Sequence, residues 1–188
     1  MKVAIFASGN GSNFQVLAEL LPAQAELALL FCDQPQAKVL ARAQKLQVKT
    51  VCFSPKDFDN RQAYETQILA ELKQAGIQWI FLAGYMRIIG ETLLNDYPQR
   101  IVNIHPSLLP AFPGLHGIRD AFEAGVTETG VTVHYIDSGV DTGPIIAQER
   151  VTITEADTLA TLETKIHQVE HRLYPQVVAA LINKEEEA

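Results

Sequence analysis

The chain has 188 residues, of which 47% are apolar and 20% charged, and a formal net charge of −7. A chain of this length buries roughly 70% of its unfolded surface in one core, so a single domain over residues 1–188 is the expectation. The acidic balance excludes a general nucleic-acid surface, which needs clustered Lys and Arg, and the absence of an eighteen-residue apolar run argues against a membrane partner.

Small molecules are therefore the expected partners. The start MKVAIFASGNGSN passes from apolar residues into a glycine loop rather than a cleavage site, which predicts a soluble, cytoplasmic protein. Cys32 and Cys52 stand in apolar stretches without metal-ligand spacing and are expected as buried, reduced thiols. The acidic tail KEEEA is expected as a solvated helix end.

Five apolar runs mark the first half: KVAIFA (2–7), LALLFCD (27–33), VKTVCF (48–53), WIFLAGY (79–85) and IVNIH (101–105). Helical patterns separate them, and that alternation is βαβ. Runs so uniformly apolar suit strands covered on both faces. With right-handed crossovers they predict an α/β fold with a doubly wound, mostly parallel, Rossmann-like sheet. Residues 36–46 place Val39, Leu40, Ala43 and Leu46 on one helical face, and residues 61–75 place Tyr64, Ile68, Leu69 and Leu72 on another. Beyond Pro113 the pattern changes. GVTVHYID (130–137) alternates, and PIIAQERVTI (144–153) follows the turn-forming DSGVDTG (137–143), so an antiparallel C-terminal strand pair is expected beside the parallel strands. Residues 157–182 predict a long C-terminal helix, capped at Thr154 or Asp157, with Leu159, Leu162, Ile166, Val169, Leu173 and Val177 inward.

In an open parallel sheet, ligands bind beyond the carboxyl ends of the strands, near the point where strand order reverses. Here those ends carry SGNGSN (8–13), Asp33, AGYMR (83–87) and HPSLLP (105–110). The first is an anion site by construction: glycines let the backbone approach a ligand, and the following helix, FQVLAELL (14–21), offers free N–H groups. Ser12 or Asn13 as a plain helix cap is the alternative. A dinucleotide fingerprint would need a third glycine where Phe14 stands, although Asp33 sits where a ribose-binding acid would. Gly11, Ser12 and Asn13 are read as a monophosphate cradle.

Asn103 and His105 end a strand two residues apart, so they share a side. Pro106 holds His105 extended, and Pro110 and Pro113 stiffen the exit. A carboxamide that donates to an oxyanion beside an imidazole that moves protons suits acyl transfer. His116, His134 and Asp141 are candidates to join them. No HxxxH or HExxH spacing supports a metal, and none is expected. Asp141, in a glycine-flanked turn, is either a plain turn residue or a carboxylate that orients His105 and favours its charge.

Taken together, SGNGSN, AGYMRII (83–89), NIHPSLLPAFPGLH (103–116), GVTVHYID and DTGPIIAQ (141–148) resemble the glycinamide ribonucleotide formyltransferases, folate-dependent enzymes of purine biosynthesis. NIHPSLLP and DxGPI also resemble the cores of methionyl-tRNA formyltransferase and formyltetrahydrofolate deformylase. SGNGSN and chain length separate them, since the former is expected to carry an RNA-binding domain and the latter a regulatory one. The resemblance implies a catalytic trio of Asn103, His105 and Asp141. It implies phosphoribosylglycinamide held by Gly11, Ser12, Asn13 and Glu170, the last of which alone reads as a surface charge. It implies 10-formyltetrahydrofolate, as co-substrate, held by Arg61, Met86, Arg87, Ile88, Ile89 and Asn103. The phosphate-binding half is expected at about 1–100 and the catalytic and folate half at about 101–188, in a monomer or weak homodimer. Direct transfer through a tetrahedral intermediate is the expected chemistry. A deformylase-like hydrolase, or a formyltransferase acting on another amine, is the alternative. Phe112, Gly117 and Ile118 receive no role.

Overall fold

The computed structural model describes residues 1–186. Strands β1 (Lys2–Ala7), β2 (Glu26–Cys32), β3 (Thr50–Cys52), β4 (Trp79–Leu82) and β5 (Ile101–His105) pair in parallel. Strands β6 (Glu128–Tyr135) and β7 (Ile145–Thr152) extend them antiparallel. The order across the sheet is β3-β2-β1-β4-β5-β6-β7, so the reversal falls between β1 and β4. The expected mostly parallel sheet, its antiparallel pair and the long C-terminal helix are all present.

Among the described residues, six α-helices connect and cover the strands: α1 (Ser12–Leu20), α2 (Lys38–Lys45), α3 (Arg61–Ala75), α4 (Glu91–Asp96), α5 (Gly117–Glu123) and α6 (Leu159–Glu186). The period-two alternation of side chains splits the core into two layers. Val3, Ile5 and Ala7 join Phe81 and Val102 beneath Phe14 of α1, Val39 of α2 and Leu162 and Tyr174 of α6. Ala4 and Phe6 point the other way, with Phe31 and Ile80, against Tyr64, Ile68 and Leu72 of α3. Phe6, Phe31, Phe53, Tyr64 and Tyr85 pack there at tilted or edge-on angles with centroids from 5.0 to 6.1 Å apart, the arrangement ring quadrupoles favour.

Several expectations shift. The C-terminal helix starts at Leu159, because Thr158 is the residue whose hydroxyl accepts from the Thr161 N–H at 3.3 Å. Neither Thr154 nor Asp157 caps it; the Asp157 carboxylate instead accepts from the Thr154 N–H and Lys165. Cys32 is buried as expected, but Cys52 is exposed, since β3 is a three-residue edge strand covered on one side only. The tail is tied down as far as it is described: the Glu185 carboxylate accepts from Trp79 Nε1 at 2.6 Å and pairs with Arg100, while residues 187 and 188 lie outside the described residues. Among the described residues, no helix is long and apolar enough to cross a membrane.

Candidate active site

The glycine loop ends β1 and opens α1. Gly11 occupies the N-cap in the left-handed region, φ 77°, and a Cβ there would stand 2.5 Å from Val39 Cγ2. Glycine is therefore required twice, by the dihedral and by the close approach of α2. Neither Ser12 nor Asn13 caps the helix. The Gln15 N–H donates to the Gly11 carbonyl, so the N–H groups of Ser12, Asn13 and Phe14 lack an acceptor one turn back and are available to an anion. Phe14 is fully buried, filling the place a third glycine would leave open for strand-to-helix contact. Asn13 Nδ2 donates to Glu170 Oε2 at 3.1 Å, and His167 Nδ1 lies 2.7 Å from the same oxygen. Glu170 is thus no surface charge: it is only 4% exposed and stands beside the cradle.

The second group forms where β5 meets β6. The register sets Asn103 opposite His134 and His105 opposite Thr132. His134 Nδ1 lies 2.9 Å from the Tyr135 carbonyl, which can only accept, so Nδ1 carries the hydrogen and the Nε2 lone pair accepts from Asn103 Nδ2 at 3.2 Å. This pairing fixes the Asn103 carboxamide and leaves its second N–H free. Asp141 adopts a left-handed backbone, φ 53°, in the turn between β6 and β7. That turn brings Oδ2 to 3.4 Å from His105 Nδ1 and Oδ1 to 3.6 Å from His134 Nε2. The Gly114 N–H donates to Oδ2 at 2.7 Å. His105 Nε2 donates to the Phe112 carbonyl at 2.8 Å, so both imidazole nitrogens face acceptors.

The segment between β4 and α4 makes a third group. Gly84 takes φ 76°, and Met86 and Ile88 follow with 55% of each exposed, whereas Ile89 is buried in the core. Arg87 Nε donates to Asp33 Oδ2 at 2.8 Å, and the Ser8 hydroxyl donates to Oδ1 at 2.5 Å. With its oxygens so engaged, Asp33 is not a ribose-binding acid. Arg61 pairs with Glu65 at 3.0 Å and donates to the Ile88 carbonyl at 2.7 Å; it borders an adjoining cleft of about 560 Å³ rather than the main one.

The main cleft, about 610 Å³, lies at the carboxyl ends of β1, β4 and β5, where the strand order reverses. The glycine loop, Glu170, Asn103, His105, Asp141 and residues 86–89 all line it. Residues 1–178 match the formyl transferase family. The chain belongs to that family. A phosphoribosylglycinamide formyltransferase of Bacillus subtilis is 51% identical over 184 residues, covering 96% of this chain and 94% of that protein. The crystal structure of phosphoribosylglycinamide formyltransferase from Bacillus halodurans superposes with a TM-score of 0.95 at 52% identity, covering 98% of this chain and 97% of that one. That of glycinamide ribonucleotide transformylase 1 from Geobacillus kaustophilus gives 0.92 at 54% identity, covering 96% and 98%.

The electrostatics of this formyl transferase centre on two acids. Burial pushes the Asp141 carboxyl up, but the hydrogen bond from the Gly114 N–H and the neighbouring His105 imidazole hold the group below the ordinary carboxylate value, while the His134 Nε2 lone pair, engaged with Asn103, donates nothing to it. The hydrogen bond to Glu170 lifts the His167 imidazole above its usual value despite partial burial. Sequence reasoning missed the Phe112 carbonyl and Gly117, whose Cβ would stand 3.1 Å from His105 Nε2. Backbone atoms leave no signature in side-chain type; the glycine alone was a signal, and an ambiguous one.

Proposed function

We propose that this formyl transferase moves the formyl group of 10-formyltetrahydrofolate to the amine of 5'-phosphoribosylglycinamide, giving N-formylglycinamide ribonucleotide and tetrahydrofolate in purine biosynthesis. One observation carries the reading. A single cleft runs from a helix N-terminus suited to a phosphate, past Asn103, His105 and Asp141, to an exposed apolar wall of Met86 and Ile88 suited to a flat ring. Arg61 borders the next cleft, where an acidic tail beyond that ring would meet a cation.

The chemistry needs charge stabilisation and a proton path. As the amine adds to the formyl carbon, the formyl oxygen becomes negative. The free N–H of Asn103 donates to it. His105 Nε2–H exchanges the Phe112 carbonyl for that stronger, charged acceptor. Asp141 stabilises positive charge on His105 from the Nδ1 side. The bond from the formyl carbon to the folate nitrogen then breaks, and the proton lost by the attacking amine ends on that leaving nitrogen. No covalent enzyme intermediate forms, and rate is gained by orienting two bound substrates. The test is an assay of formyl loss from 10-formyltetrahydrofolate with and without phosphoribosylglycinamide. Turnover is expected only with the amine present; equal turnover without it would make the chain a hydrolase.

A further inference from the structure

Asp33 has no part in the chemistry above, yet it is a fully buried acid behind the segment that lines the cleft. Its carboxylate takes three side-chain hydrogen bonds: from Ser8 Oγ at 2.5 Å, Arg87 Nε at 2.8 Å and Gln34 Nε2 at 3.2 Å. Two of these donors belong to the construction of one neighbouring segment. Ser8 Oγ, while donating to Asp33, accepts the Met86 N–H at 2.9 Å, and the Ser8 N–H donates to the Gly84 carbonyl at 3.0 Å. Arg87 is itself the next residue of that segment. The 84–88 backbone is therefore fastened from below at Gly84, Met86 and Arg87, and from the α3 side by Arg61 at the Ile88 carbonyl.

These fastenings explain how Met86 and Ile88 remain more than half exposed at the cleft. Burying a carboxylate costs several kcal/mol, and a buried ion pair is often no more stabilising than apolar packing of the same volume. A charge kept here at that cost acts through geometry.

We propose that Asp33 is a positioning residue for the folate co-substrate, holding segment 84–88 through Ser8 and Arg87 so that Met86 and Ile88 present a preformed wall. The inference rests on the folate reading of this cleft. A wall left loose must be ordered by the ligand when it binds, so affinity falls while the reacting groups, fixed separately on β5 and β6, keep their geometry.

The experiment measures the affinity of a non-reactive folate analogue by fluorescence and that of phosphoribosylglycinamide by calorimetry, in the wild type, Asp33→Asn and Ser8→Ala. The asparagine keeps the shape and one acceptor but removes the charge; Ser8→Ala removes the bridge to Met86 and one of the acid's three hydrogen bonds but leaves the acid itself in place. The expected result is a folate affinity about tenfold weaker in each, equivalent to roughly one charged hydrogen bond, with kcat at saturating folate within about threefold of wild type. Amine-substrate affinity should change less than twofold in Ser8→Ala, by about the limit of such measurements. Unchanged folate affinity in a folded Ser8→Ala would overturn the proposal, as would an equal loss of both affinities and kcat. Failure of the wild type to bind the folate analogue would instead remove the folate reading itself.

Discussion

At the scale of single residues, the site rests on hydrogen bonds that use up all but the working valences. Asn103 has one N–H committed to His134 and one free, and that free donor is the one proposed for the developing oxyanion. We expect His105→Ala and Asp141→Asn to lose about 10²- to 10³-fold in kcat, the usual cost of an oxyanion donor or its support, with substrate affinities little changed. Steady-state kinetics beside equilibrium binding would check this, and near-normal turnover in both would remove the trio. His134→Phe should cost less, about tenfold in kcat, because it frees the Asn103 carboxamide to rotate without removing it. Asn103 and His105 were legible in the sequence because strand alternation and the flanking prolines fix where both side chains lie. Glu170 was not legible from its own pattern. Its contact with Asn13 spans 157 residues and depends on how α6 crosses α1.

At the scale of elements, two glycines allow backbone to approach a working group. Gly11→Ala combines a left-handed φ with a Cβ 2.5 Å from Val39 Cγ2. The dihedral alone costs about 1 kcal/mol, and the clash adds to it by pushing α1 away from α2. We expect a lower thermal midpoint and weaker binding of the phosphorylated amine, with the dephosphorylated amine unaffected; calorimetry on both separates the effects. Gly117→Ala meets His105 Nε2 and the Phe112 carbonyl, each at 3.1 Å, in ordinary backbone geometry. It should lower kcat with little change in thermal midpoint, because the neighbours that must yield belong to the proposed catalytic group. The strands were readable because uniform apolar runs mark a sheet covered on both faces. Helices α4 and α5, with six and seven residues, complete fewer than two turns and leave no periodic pattern. The cap of α6 was misplaced by a few residues because Thr154, Asp157 and Thr158 all carry capping side chains, and packing decides among them.

At the scale of the whole molecule, α6 crosses the sheet and couples the core to the cleft. Tyr174, fully buried, places its hydroxyl 2.9 Å from the Leu82 carbonyl and 3.0 Å from that of Val102, so the helix is pinned where β4 and β5 lie side by side. One turn earlier the same helix presents Glu170 to Asn13 and carries His167 and His171, whose rings stack at 6.3 Å. These two histidines act on stability with opposite sign. The Glu170 hydrogen bond raises the folded value of His167 above 6.5, so its contribution is fully present below pH 6.5 and is lost as pH rises through the raised value. Burial lowers the folded value of His171, which lowers stability as pH falls below 6.5. The two effects fall on opposite sides of pH 6.5, each a loss of stability away from that value, and a difference between two proteins isolates the His167 part. The difference in urea midpoint between wild type and His167→Gln should be largest in acid and shrink as pH rises from about 5 to about 9, because the charged hydrogen bond to Glu170, the first cause of the raised value, is removed, and the smaller repulsion between His167 and His171 goes with it. A difference independent of pH would mean that His167 holds α6 against α1 by packing alone, leaving the Glu170 carboxylate to be fixed by Asn13.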